Sequence, residues 1–463
     1  MPDDAMDLLL THGFFLGEDA KEARVMKPYP PLGLLYLSSH LRARGFAVEL
    51  YDSTFGEREE LLRMLRAGPP AVLGIGVNLL TRGAALAIIG AARAAGWYVV
   101  AGGPEPANYA AEYLDAGAHV VVDGEGEVTL QELLPRLLER DLSSLDQVRG
   151  IFYRDPCGAV VRTAPRPLIA DLDGQPWPDR ERIDIPRYLR TWRERHGTGS
   201  ISVITARGCP YHCRWCSHSV FGKTYRRRSP SRVADEVEWL IGRYSPDMLW
   251  MADDVFTIHH GWLFDYAGEL RRRRLRVPFE CITRADRVNP RVAGTLAEMG
   301  CLRVWIGSES GSQRVLDRME RGVTVGQVQA AVEQCRASGI QTGMFLMWGY
   351  DGEEMDDIRL TIEHVKACRP DTFLTTVSYP IKGTPYYEET ASRLVGINGW
   401  SGSTDRDVRI RGRHSRRYYD FADQWLRSEV EMARMAPAER GALAARVEAA
   451  RAGLREAEAE TEA

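Results

Sequence analysis

The stretch Thr205-Ala206-Arg207-Gly208-Cys209-Pro210-Tyr211-His212-Cys213-Arg214-Trp215-Cys216 carries three cysteines spaced C-x3-C-x2-C, with an aromatic residue directly before the last. Three closely spaced thiolates suit a soft metal centre. In a cubane iron–sulfur cluster, three protein ligands leave one iron open to bind and activate a small molecule. A tetrahedral Cys3His zinc site, with His218 two residues past Cys216 as fourth ligand, is the structural alternative. The chain on either side of the triplet weighs between them.

Downstream, apolar runs alternate with amphipathic stretches. Strand candidates are Ser202–Thr205, Met248–Met251, Phe279–Thr283, Arg303–Ile306, Thr342–Met347 and Thr372–Tyr379. Helix candidates are Val233–Tyr244, Trp262–Arg274, Pro290–Met299, Val325–Ser338 and Glu354–Cys368. Six βα units predict a partial (β/α)6 barrel with its active site at the C-terminal ends of the strands. The triplet follows the first strand at that end, where a structural zinc module has no reason to sit. Later strands also end in polar or glycine-rich stretches: Asp253-Asp254, Arg284, Gly307-Ser308-Glu309-Ser310-Gly311 and Gly349-Tyr350. Each alone reads equally as helix capping or turn chemistry. Their joint order after the triplet points to a cofactor site.

Upstream, residues 6–140 show five strand-like runs: Leu8–Leu10, Val48–Tyr51, Val72–Val77, Trp97–Val100 and His119–Val122. Helical patterns such as Leu34–Arg44 and Ala84–Ala95 lie between them. This predicts a doubly wound, Rossmann-like parallel sheet that binds ligands past the carboxyl ends of its strands. The expected domains are 1–145 for that sheet, 146–198 as a proline-punctuated connector with a small hairpin around Ile151–Thr163, 199–390 for the barrel, and 391–463 as a C-terminal loop and helical extension. Within the last, Ala391–Arg417 reads as loop, Tyr418–Arg434 as helix, and Pro437–Ala463 as a helix whose end, Glu456–Ala463, frays.

The 463 residues carry a formal net charge of −4 and 44% apolar side chains, ordinary for a soluble globular protein. No run of about eighteen apolar residues predicts a membrane span, and the acidic start Met1–Asp7 is unlike a signal peptide. Eight cysteines, three of them clustered, are not a disulfide framework, so a reducing cytoplasm is expected. Cys157, Cys281, Cys301, Cys335 and Cys368 are scattered, and most sit in apolar segments that favour buried thiols. Arginine runs at Arg226–Arg228, Arg271–Arg274 and Arg411-Gly412-Arg413 sit in a slightly acidic chain without an RNA-binding module, so most of them read as solvated faces and no nucleic acid is expected.

The triplet and the strand ends after it resemble the radical S-adenosylmethionine (SAM) superfamily, whose signature is C-x3-C-x-aromatic-C. The resemblance implies a [4Fe-4S] cluster on Cys209, Cys213 and Cys216, with SAM chelated at the open iron and cleaved by one electron to a 5′-deoxyadenosyl radical. It implies SAM contacts from Trp215, Asp253, Asp254, Arg284, Ser308, Glu309 and Gly349. Ala252-Asp253-Asp254 stands where the superfamily usually has Gly-Gly-Glu. Pro30–Leu37, Gly45-Phe46 and Tyr51-Asp52 resemble the cobalamin-binding domain fused to one large class of these enzymes. That implies cobalamin contacts from Pro31, Leu32, Gly33, Asn78, Leu79, Thr81, Gly102, Gly103, Gly124 and Glu125. The D-x-H-x-x-G motif that supplies a cobalt-ligating histidine is absent, and His12 does not fit it. The implied activity is a cobalamin-dependent methyltransferase on an unactivated carbon or phosphorus of a small molecule, served by an electron donor such as flavodoxin or ferredoxin. The alternatives are a radical cyclase, rearrangement or dehydration enzyme, with or without a vestigial, cobalamin-free N-terminal domain, or a non-catalytic metal- or cobalamin-binding protein.

Overall fold

Strands that are apolar on both faces need helices on both faces. That is the architecture of the N-terminal half. The computed structural model describes residues 6–396, 399–436 and 440–462. The chain divides into two units: 6–210, 217–248 and 399–404 in the first, and 211–216, 249–396, 405–436 and 440–462 in the second.

The first unit holds a seven-stranded sheet of β1 (Leu8–His12), β2 (Val48–Tyr51), β3 (Val72–Gly76), β4 (Tyr98–Gly102), β5 (Val120–Val122), β6 (Ile151–Arg154) and β7 (Val160–Arg162). Its order is β2-β1-β3-β4-β5-β6-β7, with β1 to β5 parallel. Alternation along the strands sends Leu9, Leu73, Val99 and Val121 to one core, packed with helices Arg58–Ala67 and Arg82–Ala94. Leu8, Leu10, Val72, Val100, Val120 and Val122 face the other, with helices Leu32–Arg42 and Gly126–Leu138.

The hairpin expected inside the connector is present, and it pairs antiparallel onto β5, extending this sheet. A short hairpin cannot bury itself, and an open sheet edge supplies the missing partner. The connector also contains a helix, Ile185–His196, that its prolines conceal. Pro186 lies in the first turn, where a missing N–H costs nothing, and the Asp184 carboxylate accepts from the Arg187 N–H. Beyond it come β8 (Ser200–Val203) and the antiparallel pair β9 (Ala206–Arg207) and β10 (Arg226–Arg227).

The barrel strands are β11 (Met248–Met251), β12 (Phe279–Thr283), β13 (Cys301–Glu309), β14 (Gln341–Trp348) and β15 (Thr372–Val377), parallel and in sequence order. Counted with β8, they are the six strands of the partial barrel. The helices between them match the periodic stretches to within a few residues.

The C-terminal part departs from expectation twice. The loop expected over 391–417 contains a small antiparallel pair, Leu394–Val395 with Arg409–Ile410. The end of the chain, expected to fray, is pinned after the helix Gly441–Ala457. The Glu462 carboxylate takes Arg413 Nη2 at 2.9 Å and the Ile410 N–H at 2.7 Å. Arg413 is buried and needs a counter-charge, which the Glu462 carboxylate provides. Residues 437–439, where the last helix was expected to begin, lie outside the described residues, as do 1–5 of the acidic start and Ala463. No helix among the described residues is long and apolar enough to cross a membrane.

Candidate active site

In the first unit, strands β3 and β4 end in glycine. Gly74, Gly76 and Gly102 occupy the face shared with Leu10, Val100 and Val122, in register across the two strands. All three glycines line a cavity of about 410 Å³ at the strand ends, with Leu10 and Leu34 packed close against Gly74 and Gly76. It lies where the strand order reverses between β1 and β3, the position at which open parallel sheets bind ligands. The lining is mostly apolar, with Leu34, Leu37 and Leu130 from the covering helices, and carries a polar set that includes His12, Glu125, Glu127 and Arg207.

Of the residues the resemblance marked for cobalamin, Pro31, Leu32, Gly33, Asn78, Thr81, Gly102, Gly103, Gly124 and Glu125 line this cavity, and Leu79 does not. The lining residues divide by role. A Cβ on Gly33 would meet nothing within 4 Å, so this position faces open space. Gly103, with φ +106°, is instead pressed on the chain itself: a Cβ there would stand 2.6 Å from the Val77 carbonyl oxygen. Asn78 and Thr81 brace each other, the Asn78 N–H donating to Thr81 Oγ1 at 3.0 Å. The Glu125 carboxylate is taken by Arg207 at 2.7 Å, Arg226 at 2.8 Å and the Ile169 N–H at 2.7 Å. Its part in the wall is therefore structural.

His12, which does not fit the cobalt-ligating motif, also lines the cavity. Its Nδ1 accepts from the Phe14 N–H at 3.1 Å and its Nε2 lies 3.2 Å from Asp52 Oδ1. Asp52 in turn accepts from the Tyr188 hydroxyl at 2.7 Å. Both ring nitrogens are thus engaged by the protein.

In the second unit, Cys213 is buried and Cys216 hydrogen-bonds to it. Arg284 Nη1 and Arg321 Nη1 each stand 3.8 Å from Cys213 Sγ. Cys216's hydrogen bond, with these two guanidinium groups, holds the Cys213 thiol below its usual range. Arg284 is fixed by Asp286 at 2.9 Å, by the Arg321 carbonyl at 2.9 Å and by the Tyr211 ring beneath it. Arg321 went unnoticed in the sequence. It follows no motif, and a loop after the helix Gln313–Arg318 brings it back to the end of β13, where Nη2 donates to the Gly307 carbonyl at 3.0 Å.

Glu309 closes β13 at a register shift, with φ +62°, a conformation uncommon outside glycine. Its carboxylate is 3.8 Å from Arg321 Nε, and burial pushes its pKa up to about 7. Gly307 leaves room for both groups, since a Cβ would sit 2.6 Å from Arg321 Nη2. Ser308 differs: it is buried, with Oγ 3.0 Å from His364 Nε2 on the helix Met355–Cys368. Trp215 packs edge-on to Tyr350, next to Gly349. Gly349 itself is confined by Tyr419, whose ring carbon would be 2.7 Å from a Cβ. Asp253 is buried and Asp254 exposed at the end of β11.

Cys213, Cys216, Arg284 and Glu309 are therefore gathered around Arg321, with Trp215 and Gly349 sharing the Tyr350 neighbourhood. Cys209 is counted with the first unit, and no group of three or more His, Cys, Asp or Glu side chains among the described residues is drawn into a metal's ligand sphere. Soft thiols beside two buried guanidinium groups suit a sulfur-rich anionic centre. The glycine-lined apolar cavity suits a broad ligand that must approach the backbone.

Comparison with known proteins matches the description "Radical SAM superfamily" over residues 203–365 and "B12 binding domain" over residues 23–134. An uncharacterised methyltransferase of Pyrococcus horikoshii is 29% identical over 399 residues, 83% of this chain and 84% of the relative. An anaerobic magnesium-protoporphyrin IX monomethyl ester cyclase of Rubrivivax gelatinosus is 27% identical over 288 residues, 61% of this chain and 50% of that one. Among solved structures, the radical S-adenosylmethionine methyltransferase TsrM of Kitasatospora setae, with cobalamin and a [4Fe-4S] cluster bound, gives a TM-score of 0.69 at 21% identity, covering 84% of this chain and 75% of that one. At that identity the likeness speaks for the fold.

Proposed function

We propose that this chain, which matches the radical SAM superfamily over residues 203–365 and a B12-binding domain over residues 23–134, is a cobalamin-dependent methyltransferase acting on a small molecule. The observation that carries the reading is the cavity at the strand-order reversal, lined by strand-end glycines and by a histidine whose ring nitrogens the protein engages. Similarity to the Pyrococcus horikoshii methyltransferase over most of both chains favours methyl transfer over ring closure.

In this reading residues 1–145 hold the corrin and 199–390 form the radical SAM core. Cys209, Cys213 and Cys216 hold the cluster, and Pro31, Leu32, Gly33 and Gly102 line the corrin site. When bound, these groups supply reductive cleavage of SAM and storage of a methyl group. The chain's own work is to bind, orient and exclude water. Arg284 and Arg321 offset the negative charge of the thiolates. Glu309, rigid at its bulge, offers a carboxylate to a hydroxyl or ammonium of SAM. A cytoplasmic setting and a low-potential donor such as flavodoxin or ferredoxin fit the chemistry.

The test is anaerobic reconstitution with iron, sulfide and hydroxocobalamin, followed by desalting and incubation with reductant and SAM. About four irons per chain, retained corrin and formation of S-adenosylhomocysteine are expected. Loss of all corrin with SAM still cleaved to 5′-deoxyadenosine would overturn the methyltransferase reading.

A further inference from the structure

One residue of the cysteine stretch belongs to the cavity wall. Arg207, two positions before Cys209, lines the cavity and is 5% exposed. Its Nη1 donates to Glu125 Oε1 at 2.7 Å and its Nη2 to Glu127 Oε1 at 2.6 Å. The guanidinium lies 5.1 Å from the Tyr36 ring centroid and 5.5 Å from that of Phe221. All four partners line the same cavity.

The backbone beyond Arg207 is equally confined. Arg207 pairs with Arg226 across β9 and β10, and Arg226 Nη1 donates to both oxygens of Glu125, at 3.0 and 2.8 Å. Gly208 takes φ +85°, and a Cβ there would run into the Thr224 carbonyl. A stiff path of two residues thus leads from the cavity wall to the first cysteine. An apolar side chain could close such a wall at least as stably as a buried ion pair. What the two-carboxylate fork adds is orientation, since it fixes the plane of the guanidinium.

We propose that Arg207 is a positioning residue that makes the placement of Cys209 depend on whether the cavity is filled. A ligand against Tyr36, Phe221 and the Glu125–Glu127 turn restricts the fork, and through Gly208 it restricts the cysteine. The inference rests on the proposed function, with corrin in the cavity and the cluster on the cysteines. Such coupling is reciprocal: an occupied cavity steadies the cysteine loop, and an occupied cysteine loop steadies the cavity.

The experiment uses the full chain reconstituted with iron and sulfide, with and without hydroxocobalamin, and challenged anaerobically with a ferrous chelator. Iron loss from the wild type should be slower with corrin by at least about fivefold. Arg207→Lys keeps a charge between the carboxylates but not the fork. It should retain corrin and lose iron at the same rate in both arms. General destabilisation would instead speed both arms and preserve their ratio. Should the lysine variant not fold, Glu127→Gln, which keeps an acceptor without its charge, should likewise shrink the ratio. A wild-type ratio in the variants, or a ratio of one in a wild type that holds both groups, overturns the inference alone. A wild type that keeps iron but no corrin overturns the proposed function along with it.

Discussion

Gly33 and Gly103 both line the cavity, yet a side chain would do opposite things at the two positions. At Gly103 a Cβ must enter the Val77 backbone in a left-handed conformation. Gly103→Ala should lower stability by roughly 1–3 kcal/mol, read as a shifted urea midpoint. At Gly33 the space is open, so Gly33→Trp should leave the midpoint near wild type while abolishing corrin retention after desalting. Equal effects of the two variants on stability would remove the distinction. The family resemblance marked both glycines as cobalamin contacts, but not which backbone each one touches. Glu309 was legible in the same partial way. Its place at a strand end was evident, whereas Arg321, which shares its burial, comes from a loop with no local signature. A charge-assisted hydrogen bond contributes about 1.5–3 kcal/mol, so Glu309→Ala should weaken SAM binding about ten- to a hundredfold. Unchanged affinity by calorimetry on the reconstituted variant would make Glu309 a residue of the bulge alone.

At the scale of elements, the βα units were readable because buried strands and amphipathic helices differ in period. The failures fall where long-range partners decide. The helix Ile185–His196 is held by burial of Tyr188 and Trp192 in addition to its Asp184 cap, and the chain end is held by Arg413. The turn after β14 shows the same dependence. Gly349 packs under Tyr419, and its N–H donates to Glu353 Oε2 at 2.6 Å. Glu353 is 5% exposed, its Oε1 has no hydrogen-bond partner, and burial raises its pKa from 4.5 to about 8. The folded protein therefore keeps a proton that the unfolded chain releases near its ordinary value. Stability from this group is complete below about pH 4.5 and is lost as pH rises through about 8. The wild type should lose more stability than Glu353→Gln between about pH 5 and about pH 8.5, measured as denaturant midpoints. Equal losses would mean that the carboxyl is already ionised in the folded state at low pH.

For the molecule as a whole, one chain carries a site for a soft anionic centre and a separate cavity for a broad ligand, and the second is the more demanding inference. The sequence lacks the motif that supplies a histidine ligand, which is an argument from absence and reaches no further than that motif. The structure supplies a positive one. His12 does reach the cavity, but a backbone N–H occupies Nδ1 and Asp52 engages Nε2, with Tyr188 holding the carboxylate from behind. For Nε2 to reach a metal, His12 would have to leave Asp52 buried with one fewer partner, which costs about 1–3 kcal/mol, before any bond to cobalt formed. Hydroxocobalamin bound to the full chain should therefore show the absorption spectrum of a corrin without histidine coordination. His12→Ala should leave that spectrum unchanged while lowering stability through the exposed Asp52–Tyr188 pair. A histidine-coordinated spectrum that disappears in His12→Ala would show the His12–Asp52 pairing to be exchangeable. The lower face of the corrin would then be ligated, and the cavity would belong to a different branch of cobalamin chemistry.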